Sequence, residues 1–178
     1  MDVPNIIEKP LEFLNRKKKL LAVVAILVVL FCIISYFIYK RKKGFSPKSP
    51  LKNTPPITSP FGENRGGTPH NGTDYGVATG TEVYAIERGE VVQIGTNCTE
   101  GNFECNGGRG NFVKIKHENG FVSIYLHFSK VLVNVKDKVS KGQKIGLSGN
   151  TGHSTGAHLH VSVTDTAGVY VDVQKLIS

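Results

Sequence analysis

Two hydrophobic patterns divide the chain. The first is continuous: in "RKKKLLAVVAILVVLFCIISYFIYKRKK" the stretch from Leu20 to Tyr39 carries no charge, and Ser35 is its only strongly polar residue. As a helix these residues rise about 30 Å, the thickness of a bilayer's hydrocarbon core. Tyr36, Phe37 and Tyr39 put aromatic rings at one end, where an interfacial belt belongs. A cleavable signal peptide has a shorter apolar stretch and a small-residue cleavage site, and "SYFIYKRKK" offers none. Four cations precede the span (Arg16 to Lys19) and four follow it (Lys40 to Lys43), flanks that a buried core helix does not carry. Residues 20–39 are therefore predicted to be an uncleaved transmembrane helix, preceded by a basic segment, 1–19.

The second pattern is broken and β-like. Short runs rich in Val, Ile, Phe and Tyr recur from residue 60 onward: "EVYAI", "EVVQI", "FVKIKH", "FVSIYL", "HLHVSV" and "VYVDV". Gly, Asn and Asp punctuate them, and "HENG" at 117–120 predicts a hairpin turn. No sustained helical period occurs, apart from a short turn at "VQKLI". The expected fold is all-β: one antiparallel sheet, sandwich or barrel over residues 60–178. Between the two patterns, residues 40–59 are basic and then proline-rich (Pro47, Pro50, Pro55, Pro56), which predicts a semi-rigid spacer.

Charge changes this picture only by subtraction. The net +8 lies wholly in residues 1–53, which hold 11 Lys+Arg and 3 Asp+Glu; residues 54–178 hold 11 of each. The β domain has no net electrostatic footprint for phosphate backbones, so nucleic acid is not an expected partner.

All six histidines fall in the β domain. His158 and His160 flank one leucine; on a strand they share a face about 7 Å apart, with Leu159 pointing to the core. The glycine-rich "GNTGHSTGA" before them suits close backbone approach to a bound group. His70 and Asp74, in "PHNGTDYG", are both zinc-ligand types four residues apart. His127 ends an apolar strand. His117 and His153 read as surface or loop residues, His153 lining the cleft. Cys98 and Cys105 flank "TEGNFE", a C-x6-C spacing unlike a zinc clip, and are expected to pair as a disulfide if the domain lies outside the cytoplasm. Cys32 lies in the apolar span.

Together, "SPFGENRGGTPHNGTDYG", "YLHFSK" and "SGNTGHSTGAHLHVSV" resemble, in order and approximate spacing, the lysostaphin-type zinc metalloendopeptidases, which hydrolyse peptide bonds in bacterial peptidoglycan. "VLVNVKDKVSKGQKIGLSG" fits the family's Val/Lys/Gly-rich hairpin. The resemblance implies one zinc ion per domain, held by His70, Asp74 and His160. It implies that His127 and His158 are catalytic and do not bind the metal. Three protein ligands leave one zinc position open, as hydrolysis requires. There is no H-E-x-x-H, so the two histidines must supply proton transfer and oxyanion stabilisation. The cysteine-bearing insertion borders the expected groove and leaves open which stem-peptide or cross-bridge bond is cut. A degenerate relative that only scaffolds or activates other wall enzymes is the main rival, but such proteins lose ligands and this chain keeps all five residues. A biotinyl- or lipoyl-type carrier, suggested by "VKDKVSKGQKIG", lacks a modifiable lysine at a tight turn and leaves the histidines unexplained. The flanking charges tie, so orientation follows from the substrate: N-terminus inside, domain on the peptidoglycan side of a bacterial inner membrane or a phage virion membrane.

Overall fold

The protein is described here by a computed structural model covering residues 8–42 and 45–177. Residues 1–7 of the expected basic segment, Lys43 and Gly44 of the expected spacer, and Ser178 lie outside the described residues. The chain divides into two compact units, residues 1–43 and 44–178.

The first unit is one helix, α1 (Glu8–Lys42). Its stretch Leu14–Phe37 contains an 18-residue window of mean hydropathy 3.1, none of it buried, so it is long and apolar enough to cross a membrane. It starts earlier than the expected 20–39 because Leu14 and the charged residues after it continue the helical backbone.

The second unit is a β structure. Its strands are β1 (Ile57–Ser59), β2 (Thr73–Tyr75), β3 (Glu82–Tyr84), β4 (Gly89–Gly95), β5 (Asn111–His117), β6 (Val122–Phe128), β7 (Lys130–Val131), β8 (Lys138–Val139), β9 (Lys144–Leu147), β10 (Leu159–Thr164) and β11 (Tyr170–Val171), followed by a 3-10 turn at Val173–Lys175. The large sheet runs β1-β2-β10-β6-β5-β4-β8, with β11 also on β10; a small sheet runs β3-β9-β7. All pairings are antiparallel. The "HENG" turn joins β5 to β6, closed by the Gly120 amide on the His117 carbonyl at 2.9 Å.

Strand alternation divides the large sheet's faces. Tyr75, Tyr125, Leu159, Val161 and Val163 are buried with Val83 and Ile145 of the small sheet in a single core. Each such side chain contributes about 1.5–3 kcal/mol by leaving water. On the opposite face, the register sets His160 across from Asp74 on one side and Leu126 on the other. Burying one face with Leu159 thus sends His160 and Asp74 out together.

Two expectations are corrected. Residues 45–59 do not form a free spacer. The Lys48 amide bonds the Ile86 carbonyl at 2.9 Å, the Tyr84 amide bonds the Pro50 carbonyl at 2.8 Å, and Leu51 joins the core. Proline is tolerated along such an edge because its carbonyl still accepts, as that of Pro50 does, while the amide of Lys48 supplies the donor. The folded unit thus begins before residue 60. His117 is not a surface residue either. It is 2% exposed, with Nδ1 on the Arg88 carbonyl and Nε2 on Ser123 Oγ, both at 2.9 Å. The Ser123 hydroxyl in turn lies 3.1 Å from that of Tyr125, which accepts the Ile86 amide. These three polar side chains, one from β5 and two from β6, are accommodated in the interior because they bond one another and nearby backbone.

Candidate metal centre and its two histidines

Asp74 on β2 and His160 on β10 are cross-strand partners, and His70 reaches them from the loop just before β2. His160 Nδ1 lies 2.8 Å from Asp74 Oδ1 and 3.1 Å from His70 Nε2; His70 Nε2 lies 3.2 Å from Asp74 Oδ1. All three residues are buried. A tetrahedral zinc with bonds of about 2.0–2.1 Å sets its ligand atoms roughly 3.3 Å apart, close to these spacings. Two imidazoles and a carboxylate are also a fitting donor set for that ion. The residues present fit a zinc site.

The surroundings orient each donor. The His70 Nδ1–H faces the Pro60 carbonyl at 3.0 Å, with Ser59 Oγ at 3.2 Å, so Nε2 is left to point at the shared position. Arg65 holds the other carboxylate oxygen of Asp74. Burial alone would push the Asp74 carboxyl up. The His160 hydrogen bond and charge, then Arg65, outweigh this and hold it well below the ordinary carboxylate range. Burial pushes His70 down, so it stays uncharged, as a ligand must. Gly72 makes room: a Cβ there would lie 2.6 Å from the His160 ring and 2.7 Å from the Val161 carbonyl.

His127 and His158 face each other across the same cleft, their ring centroids 4.7 Å apart. His127 is 6.2 Å from the His160 ring. Its Nδ1–H donates to the Thr151 carbonyl at 2.8 Å, which leaves Nε2 bare. Burial lowers its pKa to about 4, so the ring is neutral. His158 Nδ1 lies 2.8 Å from the Gly156 carbonyl and 3.1 Å from Ser154 Oγ; its Nε2 is 3.8 Å from Asp74 Oδ1. The structure therefore brings all five sequence-predicted residues into one cleft. His153 is exposed on its rim, its ring 5.8 Å from Phe103.

Cys98 and Cys105 form a disulfide, with Cα atoms 5.8 Å apart. Glu104 of the loop they close, and Gly107, Gly108 and Arg109 just after it, line the cleft beside His127 and His153. Ser59, Arg65, Gly72 and Thr151 were not singled out from the sequence. Three of them stand inside the quoted motif around His70, but there the Ser59 and Arg65 side chains act on ligands rather than on substrate and Gly72 only leaves room for one, and no spacing rule marks that.

The family profile of peptidase family M23 matches residues 68–173. Peptidoglycan DD-endopeptidase ShyA of Vibrio cholerae is 48% identical over 92 residues, which is 52% of this chain and 19% of that protein. Lysostaphin of Staphylococcus simulans is 37% identical over 123 residues, 68% of this chain and 21% of that protein. The chain thus spans only about a fifth of the length of these relatives. The solved catalytic domain of the same lysostaphin superposes with a TM-score of 0.54 at 32% identity, covering 67% of this chain and 87% of that one. Helicobacter pylori Csd3 gives 0.61 at 31% identity, covering 76% of this chain and 34% of that one. The chain belongs to peptidase family M23.

Proposed function

We propose that the protein is a membrane-anchored zinc endopeptidase that hydrolyses peptide bonds in bacterial peptidoglycan. The observation that carries this reading is the convergence of His70, Asp74 and His160 beside two further histidines that bond elsewhere. Relatives named as peptidoglycan endopeptidases support the substrate class.

His70 Nε2, Asp74 Oδ1 and His160 Nδ1 would hold the ion. When bound, zinc supplies Lewis-acid polarisation of a scissile carbonyl and activation of water. His127, neutral with a bare Nε2 turned to the cleft, is the group suited to accept the proton of an attacking water. His158, fixed through Nδ1, presents Nε2 on the opposite side, placed for an N–H there to stabilise the developing oxyanion and to donate to the leaving amine. Burial of the ligands keeps bulk water from competing for their lone pairs. The disulfide-closed loop narrows one wall of the cleft and bears on which bond is admitted.

The apolar helix supports anchoring in a bacterial inner membrane or in a phage virion membrane, with the β domain on the wall side. Breaching of a host wall and remodelling of the cell's own wall are both served by that arrangement. The test is purified full-length protein in detergent acting on purified cell walls. Turbidity should fall with new free amines, stop after chelation and resume when zinc is restored. Walls left intact by zinc-loaded protein would overturn the reading. Protease added to intact spheroplasts should digest the β domain, and full protection would overturn the topology.

A further inference from the structure

His127 has a backbone that needs explaining. Its φ is +66°, in the left-handed region that non-glycine residues avoid. Along β6 the buried positions alternate through Ser123 and Tyr125, so regular extension would send residue 127 into the core. Instead its ring lines the cleft, and the next residue, Phe128, takes the core position with no exposure. The left-handed step is what turns His127 outward. Strain of this kind persists only when neighbouring structure over-determines it.

The over-determination converges on Asn111, at the start of β5 and 5% exposed. Its side-chain Nδ2 donates to the Phe128 carbonyl at 2.9 Å and to the Cys98 carbonyl at 3.2 Å, while its Oδ1 accepts the Cys98 amide at 2.8 Å. Its own amide donates to Thr151 Oγ1 at 2.9 Å, and that hydroxyl donates to the same Phe128 carbonyl at 2.8 Å. Thr151 then offers its carbonyl to the His127 ring. On the other side, the His127 amide bonds the Arg109 carbonyl at 3.1 Å. Close approach allows this: a Cβ on Gly110 would lie 2.3 Å from the Thr151 carbonyl oxygen. One residue thus joins, through its side-chain amide, the disulfide-bonded Cys98 and the residue after His127, and, through its backbone amide, the loop that holds the ring.

We infer that Asn111 is a positioning residue, which with Thr151 holds His127 in its left-handed turn and its ring in the cleft. It touches neither the metal ligands nor the cleft. The inference rests on His127 working in the proposed hydrolysis, but its structural half can be read without activity.

The experiment uses full-length zinc-loaded protein with 15N-labelled histidine. The His127 Nδ1–H should give a slowly exchanging proton signal, identified by its loss in His127→Ala. In Asn111→Ala that proton should exchange at least tenfold faster. On cell walls kcat should fall about tenfold or more, with KM and zinc content within twofold of the parent. Thr151→Val should do the same, and Thr151→Ser should restore both signal and rate. If Asn111→Ala does not fold, the Thr151 pair decides alone. A parental signal in Asn111→Ala or in Thr151→Val overturns the inference, as does a loss confined to KM. If the parent protein leaves walls intact, the proposed hydrolase fails while the proton signal still judges Asn111.

Discussion

Gly72→Ala tests whether the fold was shaped around His160. A Cβ at this position would sit 2.6 Å from both Cε1 and Nε2 of His160, where ordinary contact needs at least 3.4 Å. The ring must therefore retreat by about 0.8 Å. The backbone offers no way out, because the Val161 carbonyl is only 2.7 Å from the same Cβ. Metal ligands tolerate displacements of about 0.2 Å, so the retreat takes His160 Nδ1 well outside bonding range unless β2 and β10 separate. Overpacking of this size costs roughly 1–3 kcal/mol of stability. Loss of correct ligand placement should lower zinc affinity about tenfold to a hundredfold. Competition against a chromophoric chelator reads the affinity and thermal melting reads the stability. Gly156→Ala, at an exposed cleft position with nothing within 4 Å of its Cβ, should leave zinc affinity at the parental value. Parental zinc affinity in Gly72→Ala would refute the reasoning.

Three further outcomes are expected. Burial lowers the His117 pKa, so the unfolded chain takes up a proton near pH 6.5 that the fold resists; stability is full above that pH and falls as pH drops toward the folded value. The slope of melting temperature between pH 7 and 5 should be shallower in His117→Gln than in the parent, and parallel slopes would argue against the buried neutral ring. Leu51→Ala should cost about 2–4 kcal/mol in denaturant unfolding, since Leu51 is a core residue; a change under 0.5 kcal/mol would mean that residues 45–51 behave as a spacer after all. Reducing Cys98–Cys105 should cost about 2.5 kcal/mol on the chain-entropy account of so short a loop, read from unfolding midpoints with and without reductant.

Much of the fold was legible because the longer strands declare themselves. β4, β5, β6 and β10 each have enough Val, Ile and Tyr in alternation to mark a pleated, half-buried surface. β1, β2, β7, β8 and β11 have two or three residues each, too few for any period to register. The proline-rich segment misled because composition reports backbone preference, whereas its place was decided by the Lys48 and Pro50 hydrogen bonds and by Leu51. His117 misled for a related reason: a histidine beside a turn reads as solvated until its partners, Arg88 and Ser123, are known. The candidate site was legible as residue types in motifs. Its geometry was not, since the Asp74–His160 pairing depends on strand register and the outward turn of His127 on one backbone angle.

The central claim is that three side chains hold a metal while two others act beside it. Zinc content and wall hydrolysis, measured together on five single variants of the full-length protein, test this most directly. His70→Ala, Asp74→Asn and His160→Ala should each lose zinc and activity together. His127→Ala and His158→Ala should keep about one zinc per chain, while hydrolysis falls roughly a hundredfold or more. Zinc released by His158→Ala but kept by His160→Ala would contradict the division of roles, and full activity in all five would contradict the account as a whole.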